Sequence, residues 1–206
     1  MTARTVFMTL VLLAFLVAGC SGSGEMVNLR IYDLPSDQSK VGAGLVVAVE
    51  SFEDIRGNKD RLGSRTHIGG GRTYYNFMGG NLGSGGAEAF IAFLNSRGFQ
   101  ASKAGSGTPD VTITAVVRKF TADAVSTFMN THLEAHAITE FHILNHADNS
   151  KVRLTIGSGG TDDELIYNQE DIEDLVNTAL REGFEEFLDN ITIQDKTLRK
   201  KIKQVG

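Results

Sequence analysis

The side chains with the greatest chemical potential lie along one stretch, His-Leu-Glu-Ala-His-Ala-Ile-Thr-Glu-Phe-His, from His132 to His142. Polar and apolar residues alternate there, as on a strand whose every second side chain shares a face. His132, Glu134 and His136 fall on one face, together with Glu140 and His142. Residues two apart on a strand stand about 6.5–7 Å from each other, so one such pair could pinch a divalent metal. His132 and His136 are separated by twice that and cannot both reach one ion. A complete site would need a ligand from a second strand. The candidate metal ligands are therefore His132, Glu134, His136 and His142, and the competing reading is a solvent-facing polar ladder on an open sheet face. The ladder is the expectation, with no metal.

Other reactive arrangements are sparse. There is no His-Glu-x-x-His and no Gly-x-Ser-x-Gly, which removes the zincin and nucleophile-elbow chemistries. Asp54, Arg56 and Asp60 read as turn formers and an ion pair. Gly80-Asn-Leu-Gly-Ser-Gly-Gly86 precedes a helical pattern and could present backbone amides to an anion. No Lys-Ser or Lys-Thr follows it and no strand directly precedes it, so it is neither a P-loop nor a dinucleotide fingerprint. The expectation is a protein that is not an enzyme and carries no catalytic residues. Ten glycines crowd residues 57–86, interleaved with Arg61, Arg65, Arg72, Tyr74 and Tyr75. That mixture suits a long loop, with room for a short hairpin near Arg72–Met78, that orders against a partner, since Arg and Tyr are enriched at interfaces.

The single cysteine has a special position. Residues 1–20 read MTARTVFMTLVLLAFLVAGC, with Arg4 the one charge and Val6–Ala18 nearly all apolar. The run is short for a bilayer span and fits a signal-peptide core. Val17-Ala18-Gly19-Cys20 looks like a bacterial lipobox. That resemblance implies cleavage between Gly19 and Cys20, then a diacylglycerol and an N-acyl chain on Cys20. An ordinary secretory signal is the alternative. Ser21-Gly-Ser-Gly24 has the composition of a flexible tether. Ser21 after the cysteine points, by resemblance to enterobacterial sorting, to the outer membrane. One cysteine also excludes an intrachain disulfide and cysteine-built metal clusters. The net charge of −5, from 20 Lys+Arg against 25 Asp+Glu, gives no electrostatic reason to bind nucleic acid.

The elements that would carry these residues follow from periodicity. Leu29–Leu34 could be a first strand, and Gly44–Phe52 reads as a strand buried on both faces. Ala87–Arg97 is a helix, with Ala87, Phe90, Ile91 and Leu94 on one face, and Phe99–Lys103 a short strand. Asp110–Ala122, His132–Leu144 and Lys151–Ile156 alternate as a three-stranded antiparallel meander. Asn168 caps a helix running to about Ile191, apolar on one side and acidic on the other. The tail, 194–206, turns basic; Leu198, Ile202 and Val205 would line one side of a short terminal helix. Its Arg199, Lys200 and Lys201 either belong to a solvated helix end or dock on an acidic surface. The expected fold is an α+β two-layer sandwich, mostly antiparallel, with two main helices on one face. The expected organisation is a signal peptide over 1–19, lipidated cysteine and tether over 20–40, a periplasmic domain over 41–193 containing the 57–86 loop, and the tail.

A lipobox, Val-Ala-Val-Glu-Ser-Phe-Glu-Asp-Ile-Arg-Gly57, Arg97-Gly98-Phe99, Pro109-Asp110-Val-Thr-Ile113, a polar meander, and a long final helix leading into Ile193-Gln-Asp and Ile202-Lys-Gln204 follow in order. Together they resemble the YajG-type bacterial lipoproteins over most of residues 44–204. That family is known by location and fold, so the resemblance implies no catalytic residues. More distantly the plan resembles auxiliary lipoproteins of lipid-transport systems and the curli secretion lipoprotein. The functional expectation is an outer-membrane lipoprotein acting as a protein-interaction or envelope-assembly module, with a protein partner or self-association. A lipid-binding accessory is the alternative, and a His-dependent metal enzyme the remaining one.

Overall fold

The computed structural model describes residues 24–30, 40–78, 81–105 and 107–201. The expected cleavage site, Gly19–Cys20, lies outside them, as do residues 31–34 of the expected first strand and Ile202 and Val205 of the tail.

Strands β1 (Glu25–Val27), β2 (Val46–Val49), β3 (Glu53–Asp54), β4 (Gly63–Thr66) and β5 (Arg72–Phe77) precede helix α1 (Leu82–Ser96). Then come β6 (Gln100–Lys103), β7 (Val111–Ser126), β8 (Thr131–Asn145), β9 (Lys151–Glu164), helix α2 (Gln169–Asp189), β10 (Ile191–Gln194) and β11 (Thr197–Lys200). The first nine strands make one sheet, and β10 and β11 form a separate two-stranded ribbon. The architecture is the α+β sandwich that the periodicity implies, with helices segregated to one side of the sheet.

The long strand β7 organises the sheet. Antiparallel β8 follows nearly its whole length, and β9 follows β8. The other edge of β7 is served in succession by β2, β3 and β4, all parallel to it. β2 is flanked by β6 and β7, both parallel, and buries Val47, Ala48 and Val49, as its unbroken apolar run requires. A bulge falls between Val117 and Lys119. It flips the parity of β7: Val111, Ile113, Ala115 and Val117 face the core before it, and Phe120, Ala122 and Ala124 after it.

Residues 57–86 are not one long loop. They hold an antiparallel hairpin, β4–β5, with Thr66 opposite Arg72, and the first turn of α1. The glycines of 83–86 are helical because α1 abuts the end of β2. A Cβ on Gly83 would lie 2.1 Å from the Phe52 carbonyl oxygen, and Phe52 N–H donates to Gly83 at 3.1 Å. Gly63 likewise brings β4 against β7, since a Cβ there would meet the Ala122 carbonyl at 1.8 Å. The tail also departs from expectation. Its described part, through Lys201, is a β10–β11 ribbon around Asp195–Lys196, both at positive φ, where the sequence spacing predicts a helix from Leu198 onward. Buried Asn145 docks it: its amide donates to the Leu198 carbonyl at 3.0 Å and accepts Leu198 N–H at 2.8 Å.

The core centres on aromatic rings. Phe90 of α1 lies 4.9 Å from Phe184 and 5.2 Å from Phe187 of α2, and 5.2 Å from Phe141 of β8, centroid to centroid. It joins both helices to the sheet. Phe90→Ala would leave a void at that junction and lower stability by about 3–5 kcal/mol, measurable by urea unfolding.

Candidate functional site

The sequence-flagged residues fall into four places. The His/Glu strand is β8, and its polar residues do face away from the helices. They are bound in pairs across the face: His132 Nδ1 with Asp163 at 3.1 Å, and His136 Nε2 with Glu134 at 2.5 Å. Glu140 is the exception. Its side chain is 4% exposed because three groups close over it. Arg118, carried out by the β7 bulge, donates through Nε at 2.8 Å and Nη2 at 2.5 Å. Arg153 of β9 meets the other oxygen at 2.5 Å, and His142 at 2.7 Å. The bonds from Arg153 and Arg118 hold the Glu140 carboxyl down at about 2. Among the described residues no group of three or more His, Cys, Asp or Glu converges as a metal site.

The hairpin residues divide by strand parity. Tyr75 is fully buried, which corrects its expected role on a partner-facing surface. Its hydroxyl lies 3.0 Å from that of Tyr167, and Tyr167 donates a short bond to Glu25. Burial pushes the Tyr75 phenol up to about 12, with the Tyr167 bond offsetting only part. Arg65 lies 3.8 Å over the Tyr167 ring and donates to Ser126 at 3.0 Å. Both residues therefore act as internal posts. Arg72 and Tyr74 point outward.

Arg61 lies 3.5 Å over the Tyr74 ring. The two form one wall of a cleft of about 390 Å³ between the 57–62 segment and the β7 bulge, with Arg118 and Lys119 opposite. Behind it, Arg56 is buried and fully bonded: to Asp54 at 2.9 and 3.0 Å, and to the carbonyls of Arg61 and Phe120, each at 3.0 Å. Arg118 is committed to Glu140. Arg61 and Lys119 make no ion pair within 4.0 Å among the described residues, although Asp123 lines the same cleft and Lys119 helps to hold the Glu134 carboxyl down, so the cleft presents two cations free of direct ion pairs beside an aromatic ring. Lys119 was not flagged by sequence; only the bulge turns it and Arg118 outward together.

The Gly80–Gly86 candidate is explained by packing. Asn81 caps α1, accepting Gly83 N–H at 2.8 Å, and Phe52 closes on the same turn. In the tail, Arg199 pairs with Asp148 and donates to Ser150 at 2.7 Å, while Lys200 and Lys201 are exposed. The space between α1 and the sheet is filled by rings. An apolar cleft of about 520 Å³ opens instead beside Phe99, Leu188, Ile191 and Ile193. Arg97 borders it together with Glu185 and Asp189; its Nη2 donates to Glu185, while its buried Nε lacks a hydrogen-bond partner.

The Glu140 cluster makes a pH signature. The two arginines hold its carboxyl below the ordinary glutamate range, at about 2, so its contribution is complete above that ordinary range and is lost as pH falls through it toward 2. Unfolding midpoints of the wild-type chain should fall over that window, and Glu140→Gln should be less stable at neutral pH with a flatter acid limb.

No family model matches the chain, and no curated protein matches it. Solved structures do share its fold. A protein from Xanthomonas campestris of the DUF330 family superimposes with a TM-score of 0.55 at 12% identity, covering 79% of this chain and 92% of that one. An uncharacterized protein gives 0.53 at 9% identity, covering 81% and 98%. At these identities the likeness is one of fold.

Proposed function

We propose that this protein is a lipid-anchored, non-enzymatic envelope protein of the YajG type, whose domain is an interaction module for an acidic protein segment. The observation that carries this reading is the cleft in which Arg61, stacked on Tyr74, and Lys119 stand without a direct ion pair. Two cations on one cleft, one of them stacked on an aromatic ring, are suited to recognising carboxylates. The reading of no catalytic activity is supported by the open face, where ionisable groups are engaged with one another in pairs. The anchor reading rests on the lipobox at Cys20. No helix among the described residues is long and apolar enough to cross a membrane. By this proposal the domain faces the periplasm from the outer membrane and holds no cofactor beyond the lipid on Cys20.

A second reading rests on the cleft beside Phe99, Leu188, Ile191 and Ile193: its apolar wall would accept a lipid acyl chain, while Arg97 at its edge is already paired with Glu185. Native mass spectrometry of envelope-extracted protein would then show a co-purifying lipid.

Two measurements test the leading reading. Cys20→Ser should move the protein from the membrane fraction to the soluble periplasmic fraction; unchanged membrane association would end the anchor reading. Cross-linking in intact envelopes should give a discrete partner product that Arg61→Glu with Lys119→Glu abolishes. No product, or one that the double substitution leaves untouched, would reject the cleft as the docking site.

A further inference from the structure

Five large apolar side chains project into solvent at one end of the sheet. Phe128 is 93% exposed, Met129 83%, Leu165 84%, Ile166 78% and Ile68 51%. Strand register brings them together. Thr66 is level with Val125, so the β4–β5 turn carrying Ile68 lies beside the β7–β8 turn carrying Phe128 and Met129. Thr131 pairs with Glu164, so Leu165 and Ile166 lie across from that same turn.

The turn is rigid. Thr127 N–H donates to the Asn130 carbonyl at 2.7 Å, the Thr127 hydroxyl bonds the same oxygen at 2.9 Å, and the N–H groups of Met129 and Asn130 donate back to that hydroxyl at 3.2 and 3.1 Å. Turn corners ordinarily carry Gly, Asn, Asp or Ser, because those residues suit the backbone and the solvent. Here a well-clamped turn holds a phenylalanine and a methionine at its corners, and neither contributes to the core.

The N-terminal arm reaches the fold at this end. β1 is parallel to β5, with Glu25 level with Tyr75, Gly63 and Ala122, so the chain ahead of Glu25 comes from the side of the Phe128 turn. Glu25 is bonded to Tyr167, the residue after Ile166, and Arg65 links the Tyr167 ring to Ser126 at the base of the turn. Ser21, Gly22 and Ser23 separate Cys20 from Gly24, four residue steps that span at most about 14 Å when fully extended. An acyl anchor on Cys20 therefore has to lie close to this apolar end.

We infer that this end is a membrane-contact surface: Phe128, Met129, Leu165, Ile166 and Ile68 insert among the lipids that hold the anchor and fix the orientation of the domain. The inference rests on the lipid-anchor reading. Asp162, Asp163 and Glu164 flank Leu165 and Ile166 against the exposed Arg72 beside the Ile68 turn, so the contact is apolar insertion more than adhesion to anionic headgroups. An anchored domain gains this contact at high effective concentration, since its tether already confines it to the surface.

The chain contains no tryptophan and one cysteine, which makes the test direct. The described fold lies within residues 24–201, so the chain from Cys20 onward contains it. That chain, carrying Phe128→Trp, is coupled through the Cys20 thiol to a maleimide lipid in phosphatidylethanolamine–phosphatidylcholine vesicles. The expected result is a blue shift of the sole tryptophan's emission and quenching by brominated acyl chains, both lost when Leu165→Asp and Ile166→Asp are added. Circular dichroism should be unchanged throughout, because all three side chains are exposed. Emission identical with and without vesicles overturns the inference. So does a blue shift that appears without vesicles and grows with protein concentration, which would assign the surface to a second copy of the chain. Because the tether is attached chemically, these outcomes are independent of whether the cell acylates Cys20. That is read by acyl-chain labelling of the wild-type and Cys20→Ser proteins.

Discussion

Arg56 is a cation set among backbone carbonyls, and the sheet is arranged around it. β7 is long enough to need three partners on one edge, and the chain leaves that edge after β3 and returns to it at β4. Over the gap, Ile55 N–H still reaches the Val117 carbonyl and Ala122 N–H the Leu62 carbonyl, at 3.2 Å each. The Phe120 carbonyl between them has no strand to pair with, and a buried unpaired carbonyl is costly. The Arg56 guanidinium fills that place and binds the carbonyls of Arg61 and Lys59 as well, which fixes the 57–62 excursion. Asp54 balances the charge. Burial pushes the Asp54 carboxyl up, but the bonds from Arg56 outweigh it and leave the group more acidic than usual. A guanidinium suits this place because its planar fork offers several donors at fixed angles.

The bulge beside this gap is the second device. By inserting one residue it turns Arg118 and Lys119 outward in succession and brings Phe120 inward, where it stacks 6.0 Å from Phe77 of β5. Arg118 then closes over Glu140, so the open face of the meander contains a carboxylate shielded by two arginines and a histidine. Lys119 is left to the cleft. One backbone irregularity thus sets both the Glu140 charge cluster on the open face and one of the two cations of the candidate docking site.

The N-terminal arm shows how polar groups make a short strand hold. β1 has three residues, too few to persist by sheet pairing alone. It is secured by the Glu25–Tyr167–Tyr75 chain, by Gln169 donating to the Met26 carbonyl at 2.6 Å, and by Asn177 of α2, which accepts Arg30 N–H at 2.7 Å and donates to the Asn28 carbonyl at 2.9 Å. Any tether ahead of Gly24 is thereby joined to a fixed point of the fold, which gives the domain a defined end to turn toward its anchor.

Much of this was legible in the order of residues. The meander, both helices, the doubly buried strand at Val46–Val49 and the outward set of β8 follow from periods of two and 3.6, which depend only on neighbours along the chain. The departures share a different cause. The β4–β5 hairpin lies in a glycine-rich segment whose local preference is for loop, and β7 on one side and β1 on the other supply the pairing that makes it sheet. Leu198, Ile202 and Val205 have helical spacing, yet Asn145, more than fifty residues away in sequence, captures the backbone of Leu198 and makes the tail a ribbon. Tyr75 and Tyr74 are adjacent and chemically alike, and only the pleat decides that one is a buried post and the other a cleft wall. Sequence alone determined the periodic elements and the position of the cysteine, because those are local. Tertiary structure decided which charges are compensated, which glycines are contact points and which end of the sheet meets the tether, because each depends on groups that only folding brings within bonding distance.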